Sequence, residues 1–241
     1  MPRTLSFCLT TYDKDYHLLP RVWESLRLQT EAPDEIIIVS SGLPVSPVQG
    51  GSVVIAGKGV PVYIANSSKR LTAAGARNFA GAMASKEIIQ FFDGDDYLHQ
   101  NHIQTTKAFF EKDNSAALLH TYLKSNNSIS PAMSTPHPYD KSNLETVKWS
   151  KKINRFSVKD QIQADGVAAG PLAILSHVFE SVKYRKHCVE DSDMLYQLLI
   201  GLKLTVKCYG FPLMTYFPAN ETGRPKMGSD DLMLAAPSEI I

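Results

Sequence analysis

Ile88-Ile89-Gln90-Phe91-Phe92-Asp93-Gly94-Asp95-Asp96 is the stretch whose reading decides the fold. Four apolar residues around Gln90 make a buried strand, and three carboxylates follow at its C-terminal end. Carboxylates that close repel one another unless a cation sits among them or one of them keeps a proton. A divalent ion is the simplest answer, and hard oxygen ligands favour Mg2+ or Mn2+, which keep open positions for water and substrate phosphates. Gly94 is read as the residue that lets the backbone turn between the outer acids. The competing reading is a solvated Asp-Gly turn after a core strand.

Working outward, composition narrows the class. The chain has 241 residues, 44% hydrophobic and 20% charged, with a net charge of +1. That size carries a substantial core, and the balance of charge argues against a general nucleic-acid or membrane-surface binder. Cys8, Cys188 and Cys208 are widely spaced and match neither a disulfide framework nor a zinc pattern, which favours a reducing compartment. The first residues lack the apolar core of a signal peptide, and no apolar run approaches the ~18 residues of a membrane span. The expectation is a soluble, cytoplasmic protein with no transmembrane segment and no nucleic-acid partner.

On the N-terminal side of the acidic strand the pattern alternates. Leu5 to Leu9 is a short strand ending in Thr10-Thr11-Tyr12-Asp13. Leu18, Leu19, Val22, Leu26 and Leu28 then recur at helical spacing, and Glu35 to Val39 is a second strand stopped by Ser40-Ser41-Gly42. This βαβ unit predicts a parallel sheet covered on both faces, with the site at the strand C-termini. Strands are also predicted around Ser52 to Ala56 and Val60 to Ile64. The small residues from Leu71 to Ala84 surround Arg77, read either as a fork onto a phosphate or base or as a snorkelling surface arginine. A helix over His102 to Phe110 follows the acids.

Taken together, Thr10-Thr11-Tyr12, the Glu35 to Gly42 strand and turn, Ala74 to Gly81 with its Ala76-Arg77-Asn78, Phe91 to Asp96 and the later Val189-Glu190-Asp191 resemble, in kind and order, the family 2 glycosyltransferases. The resemblance implies a single α/β GT-A (Rossmann-like) domain, its central sheet mainly parallel and flanked by helices. It implies transfer, with inversion, of a sugar from a nucleotide-diphosphate donor, a UDP-sugar or dTDP-sugar, to a hydroxyl of a glycan or other acceptor. Residues 1–110 would form the nucleotide-sugar half, 111–225 the acceptor half and 226–241 a tail. Asp95, assisted by Asp93, would hold Mn2+ or Mg2+; Thr10, Thr11, Tyr12, Ser40, Ser41, Arg77, Asp93, Gly94 and Arg224 would meet the nucleotide sugar, with Lys226 near its diphosphate. Asp191 would be the catalytic base, with Glu190 beside it. The chain departs from the family where the second strand usually ends in acids, since Ser40 and Ser41 stand there, and it has no histidine after Tyr209.

The rest of the chain is less legible. Asn126 to Asn143 reads as a Ser/Asn/Pro-rich insertion, and Trp149 to Phe156 as a basic cluster. Glu190, Asp191 and Ser192 open a helix with Met194, Leu195, Leu198 and Leu199 on its apolar face, where acids serve equally well as caps. Late strands are expected over Leu204 to Cys208 and Leu213 to Phe217. Two alternatives stand beside the transferase: an aspartate-nucleophile phosphatase, which also uses an Asp-x-Asp strand, and a non-catalytic nucleotide-sugar or carbohydrate-binding module.

Overall fold

In a computed structural model of the protein, the described residues are 2–42, 49–124, 139–150, 155–158, 161–162, 172–185, 190–210 and 212–216. The chain opens with β1 (Leu5–Tyr12), a 3-10 turn over Asp13–Leu18, α1 (Leu19–Arg27) and β2 (Glu35–Ser41). Pro20 sits in the first turn of α1, where its missing N–H costs nothing. An antiparallel hairpin follows, β3 (Gln49–Ile55) and β4 (Lys58–Ser67), turned by Ala56 and Gly57 at φ 47° and 74°. Next come α2 (Ala73–Met83), β5 (Ile88–Asp93), β6 (Tyr97–Leu98) and α3 (His102–Lys112). The second half supplies β7 (Ala117–His120), β8 (Leu123–Lys124), β9 (Leu144–Thr146), β10 (Lys148–Ser150), β11 (Arg155–Val158) and β12 (Gln161–Ile162). It ends with β13 (Ala173–Leu175), α4 (Ser176–Phe179), α5 (Glu190–Tyr196) running into a π-helical turn, β14 (Val206–Tyr209) and β15 (Met214–Tyr216).

Nine strands form one sheet in the order β3-β4-β2-β1-β5-β13-β7-β14-β9. The expectation of a mainly parallel sheet holds in part. The pairs β1 with β2, β1 with β5, β2 with β4 and β7 with β14 are parallel, whereas those made by β3, β9 and β13 are antiparallel. Because β13 runs against both β5 and β7, those two share a direction, so the reversed strand divides the sheet without turning its far half around. The C-termini of β4, β2, β1, β5, β7 and β14 therefore reach one edge, where the loops can form a site.

Residue alternation in β5 explains how both faces are covered. Phe92 packs on Phe7, ring centroids 5.5 Å apart, and meets His102 of α3. Phe91 points the other way, onto Phe179 of α4 and Tyr184, at 5.2 and 5.3 Å. The register pairs Phe91 with Cys8, whose Sγ donates to the Ala80 carbonyl of α2. Strands buried on both faces read as continuous apolar runs, as β1, β2 and β5 do. Gly81 lets α2 approach: a Cβ there would meet the Phe179 ring at 2.3 and 2.7 Å.

Behind the acid-tipped strand lie His99, His102 and His120. Burial pushes His99 down to about 3 and His102 to about 4, and holds His120 well below its ordinary value. His102 Nδ1 donates to the Leu213 carbonyl and His120 Nε2 meets Thr106 Oγ1 at 3.0 Å. These are neutral core histidines. Cys8 and Cys208 are both buried.

The predicted elements fall mostly where the periodicity puts them, and the differences have plain causes. The helix after the acids extends to Lys112. β7 and β13 carry no distinct signal, being four and three residues long inside apolar surroundings. Of the Asn126 to Asn143 insertion, the described end is a 3-10 turn over Lys141–Asn143 capped by Asp140. The basic cluster from Trp149 spans the hairpin of β10 and β11, with Lys151 and Lys152 outside the described residues.

Candidate active site

Strand register sets the acids against the end of β1: Thr10 lies opposite Asp93, and Thr11 opposite Ser40. Gly94 N donates to the Thr10 carbonyl at 2.9 Å, tying the acidic turn to β1. The reason for glycine at 94 differs from the expected sharp turn. Its φ is not positive; instead a Cβ would lie 2.9 Å from Thr11 Cβ and 3.0 Å from the Thr10 carbonyl oxygen. Close approach, not turning, demands glycine here.

Arg77 is no surface arginine. Its α2 starts from Thr72, whose hydroxyl accepts from Gly75 N at 3.1 Å, and the helix carries Arg77 into its second turn with the side chain 5% exposed. Nη2 donates to both Asp93 carboxylate oxygens, at 3.1 and 3.0 Å, and Thr10 Oγ1 adds a third hydrogen bond to Asp93 at 3.2 Å. The Tyr184 ring backs the guanidinium, 5.3 Å from its carbon to the ring centroid. Tyr184 is in turn locked to α2 by two hydrogen bonds with Asn78, of 2.7 and 2.9 Å. Thus Asp93, a third exposed, is held by a charge-assisted clamp built from β1, α2 and the 182–185 segment.

Asp95 and Asp96 are more deeply placed, each 4% exposed. Arg21, from α1, donates through Nη2 to the Asp95 carbonyl. Burial lowers the Arg21 pKa, and the charges of Asp95 and Asp96 oppose that fall. Tyr216, whose ring lies 5.3 Å from Tyr122, has its hydroxyl pKa raised by burial, then by Asp96, Asp95, Tyr122 and Asp93. Its strand β15 pairs with β6, directly after the acids.

The remaining predicted residues divide. Thr10, Thr11 and Tyr12 end β1 beside the acids, with Thr11 buried against Gly94. Ser40 and Ser41 are fully buried; the Ser41 hydroxyl accepts from Leu71 N and meets the Lys69 carbonyl, holding the loop before α2. Glu190 and Asp191 begin α5, but their side chains, like all of Arg224 and Lys226, lie outside the described residues. Asp193, one turn further on, holds Arg185 and accepts from Gln197 Nε2 at 2.9 Å. Through Gln197 and the Lys183 carbonyl, that network joins α5 to the segment carrying Tyr184. Arg21, Tyr184 and Tyr216 escaped the sequence reading, since each comes from an element remote in the chain and matches an ordinary surface or core pattern.

Among the described residues no three histidine, cysteine or acidic side chains gather as a ready metal centre. What Asp93, Asp95 and Asp96 offer is a set of hard oxygens, which suits a divalent ion that takes its other ligands from phosphates and water.

Residues 1–349 of S. aureus TarS superpose with a TM-score of 0.58 at 14% identity, covering 90% of this chain and 61% of that one. The same protein in complex with UDP-GlcNAc gives 0.61 at 13%, covering 95% and 63%, and in complex with UDP 0.57 at 14%, covering 91% and 62%. The chain spans about three fifths of the length of these structures, and at such identity the likeness shows the fold. No curated protein matches in sequence. The model of Glycosyl transferase family 2 matches residues 6–178, well over half of the chain, and the protein belongs to that family.

Proposed function

We propose that this protein is a glycosyltransferase that moves a sugar from a nucleotide-diphosphate donor to an acceptor hydroxyl, with inversion, and that it works in the cytoplasm, where such donors are made. The observation that carries this reading is the acid-tipped β5 at the shared C-terminal edge of the sheet, with Asp93 clamped by Arg77 and Thr10, in a family 2 chain. The TarS complexes with UDP-GlcNAc and UDP favour uridine for the donor.

The 1–110 half would bind the donor and the 111–225 half the acceptor, a glycan or another hydroxyl compound. Asp95, with Asp93, would hold Mn2+ or Mg2+, which when bound neutralises charge on the departing diphosphate. Arg77 aligns Asp93, and Arg224 with Lys226 would meet the diphosphate. Thr10, Thr11, Tyr12, Ser40, Ser41 and Gly94 shape the nucleotide side. Asp191 would take the proton from the acceptor hydroxyl as it attacks the anomeric carbon, with Glu190 orienting the acceptor.

The test is thermal denaturation with UDP, GDP, dTDP or CDP, each with Mn2+, Mg2+ or EDTA, because a ligand of the folded state raises the midpoint by mass action. A nucleotide-specific rise abolished by EDTA is expected; no rise with any nucleotide overturns the reading. Asp191→Asn should keep nucleotide binding and lose at least ~100-fold in turnover, the usual worth of a general base.

A further inference from the structure

Arg21 has no part in the transfer chemistry above, yet its position answers the charge problem posed by the acidic turn. Asp95 and Asp96 are neighbours in sequence and each is 4% exposed. Two carboxylates so far from water are costly without a compensating cation. Arg77 serves Asp93. Arg21 lies beside the other two: Nη2 donates to the Asp95 carbonyl, which puts the guanidinium against the turn that carries Asp95 and Asp96, and while burial lowers its pKa the charges of both acids oppose that fall. Its helix is fastened there. Gln29, just after α1, donates to the His99 carbonyl at 2.6 Å and accepts from Ile103 N at 3.1 Å, so α1 is pinned to the segment that follows the acids.

We propose that Arg21 is a built-in counter-cation, which holds Asp95 and Asp96 in place before the donor arrives and thereby keeps their affinity for a free divalent ion low. This rests on the reading of Asp95 as an ion ligand. One positive charge beside two negative ones leaves too little net charge to hold a free ion tightly, whereas a diphosphate brings the missing negative charge with it. The ion then binds together with the nucleotide diphosphate rather than ahead of it, and Arg21 sets that order.

The experiment is Mn2+ binding to the purified protein without nucleotide, by calorimetry or by loss of the free-ion electron-paramagnetic signal, alongside thermal midpoints. Arg21→Gln should bind Mn2+ alone about tenfold more tightly than the parent. Its midpoint without ion should fall by roughly 4 °C and recover in millimolar Mn2+. Arg21→Lys, which keeps the charge, should stay within about twofold of the parent in ion affinity, and it carries the test should the glutamine variant not fold. Unchanged Mn2+ affinity in Arg21→Gln, or a lowered midpoint that Mn2+ does not restore, overturns the proposal, as does tightened ion binding in Arg21→Lys. Failure of the transferase reading looks different: the parent itself then gains no stability from any nucleoside diphosphate with ion present.

Discussion

At the residue scale, the acidic turn depends on two positions whose importance is steric and electrostatic. Gly94→Ala adds a methyl group about 3 Å from Thr11 and the Thr10 carbonyl, one contact being backbone that cannot give way cheaply. A loss of roughly 1–3 kcal/mol in urea denaturation is expected, with nucleotide binding lost alongside. Arg77→Gln leaves Asp93 with only Thr10 among its described hydrogen-bond partners. Because Asp93 is a third exposed, water relieves part of the damage, and a cost of about 2 kcal/mol is expected rather than the larger penalty of a fully buried pair. Donor affinity should drop with it, measured by calorimetric titration of the nucleotide diphosphate.

At the scale of elements, the site is precise because α2 sits hard against the sheet. That closeness is bought by small residues, Gly81 above all, which faces the Phe179 ring. Gly81→Ala would push α2 outward and carry Arg77 away from Asp93. The expected outcome is about 2 kcal/mol of destabilisation, and a second change, Phe179→Leu, should recover part of it by removing the ring the new methyl strikes. Full additivity of the two changes in denaturant titrations would show that the contact does not govern the position of the helix. The Tyr184 segment links the same helix to α5, so the element bearing Asp191 shares a network with the clamp on Asp93.

At the scale of the whole molecule, three buried neutral histidines tie stability to pH. His102 and His99 have folded values of about 4 and about 3, below the 6.5 of the unfolded chain. Between those values the unfolded chain holds more protons, so their stabilising effect is complete above pH 6.5 and is lost as the pH falls toward 4. Asp34 acts in the same direction at lower pH: burial would raise its pKa, but hydrogen bonds from Lys58, Lys107 and Leu5 N outweigh burial and hold it below 3.8. Thermal midpoints should therefore fall steadily from pH 7 to pH 4. His102→Phe should flatten the upper part of that slope, a change on the order of 2–3 kcal/mol across the window.

Much of this was written in the chain. The strands β1, β2 and β5, the helix α1 and the clustered acids are local patterns, set by runs of apolar residues and the turns that end them, and their order carries the family. The partners of the acids were not legible. Arg77 reads as a phosphate or base fork or a surface cation, and Arg21 as a surface cation, until the sheet brings β1 and β5 together and α1 and α2 pack beside them, and Tyr184 reaches Arg77 across more than a hundred residues. Short strands such as β13 leave no periodic trace, so the reversal it makes in the middle of the sheet is invisible too. Composition and periodicity determine what each segment becomes, because backbone geometry and burial act over a few residues. Which charge meets which is decided only by the tertiary structure, because electrostatic partners are chosen by distance in space.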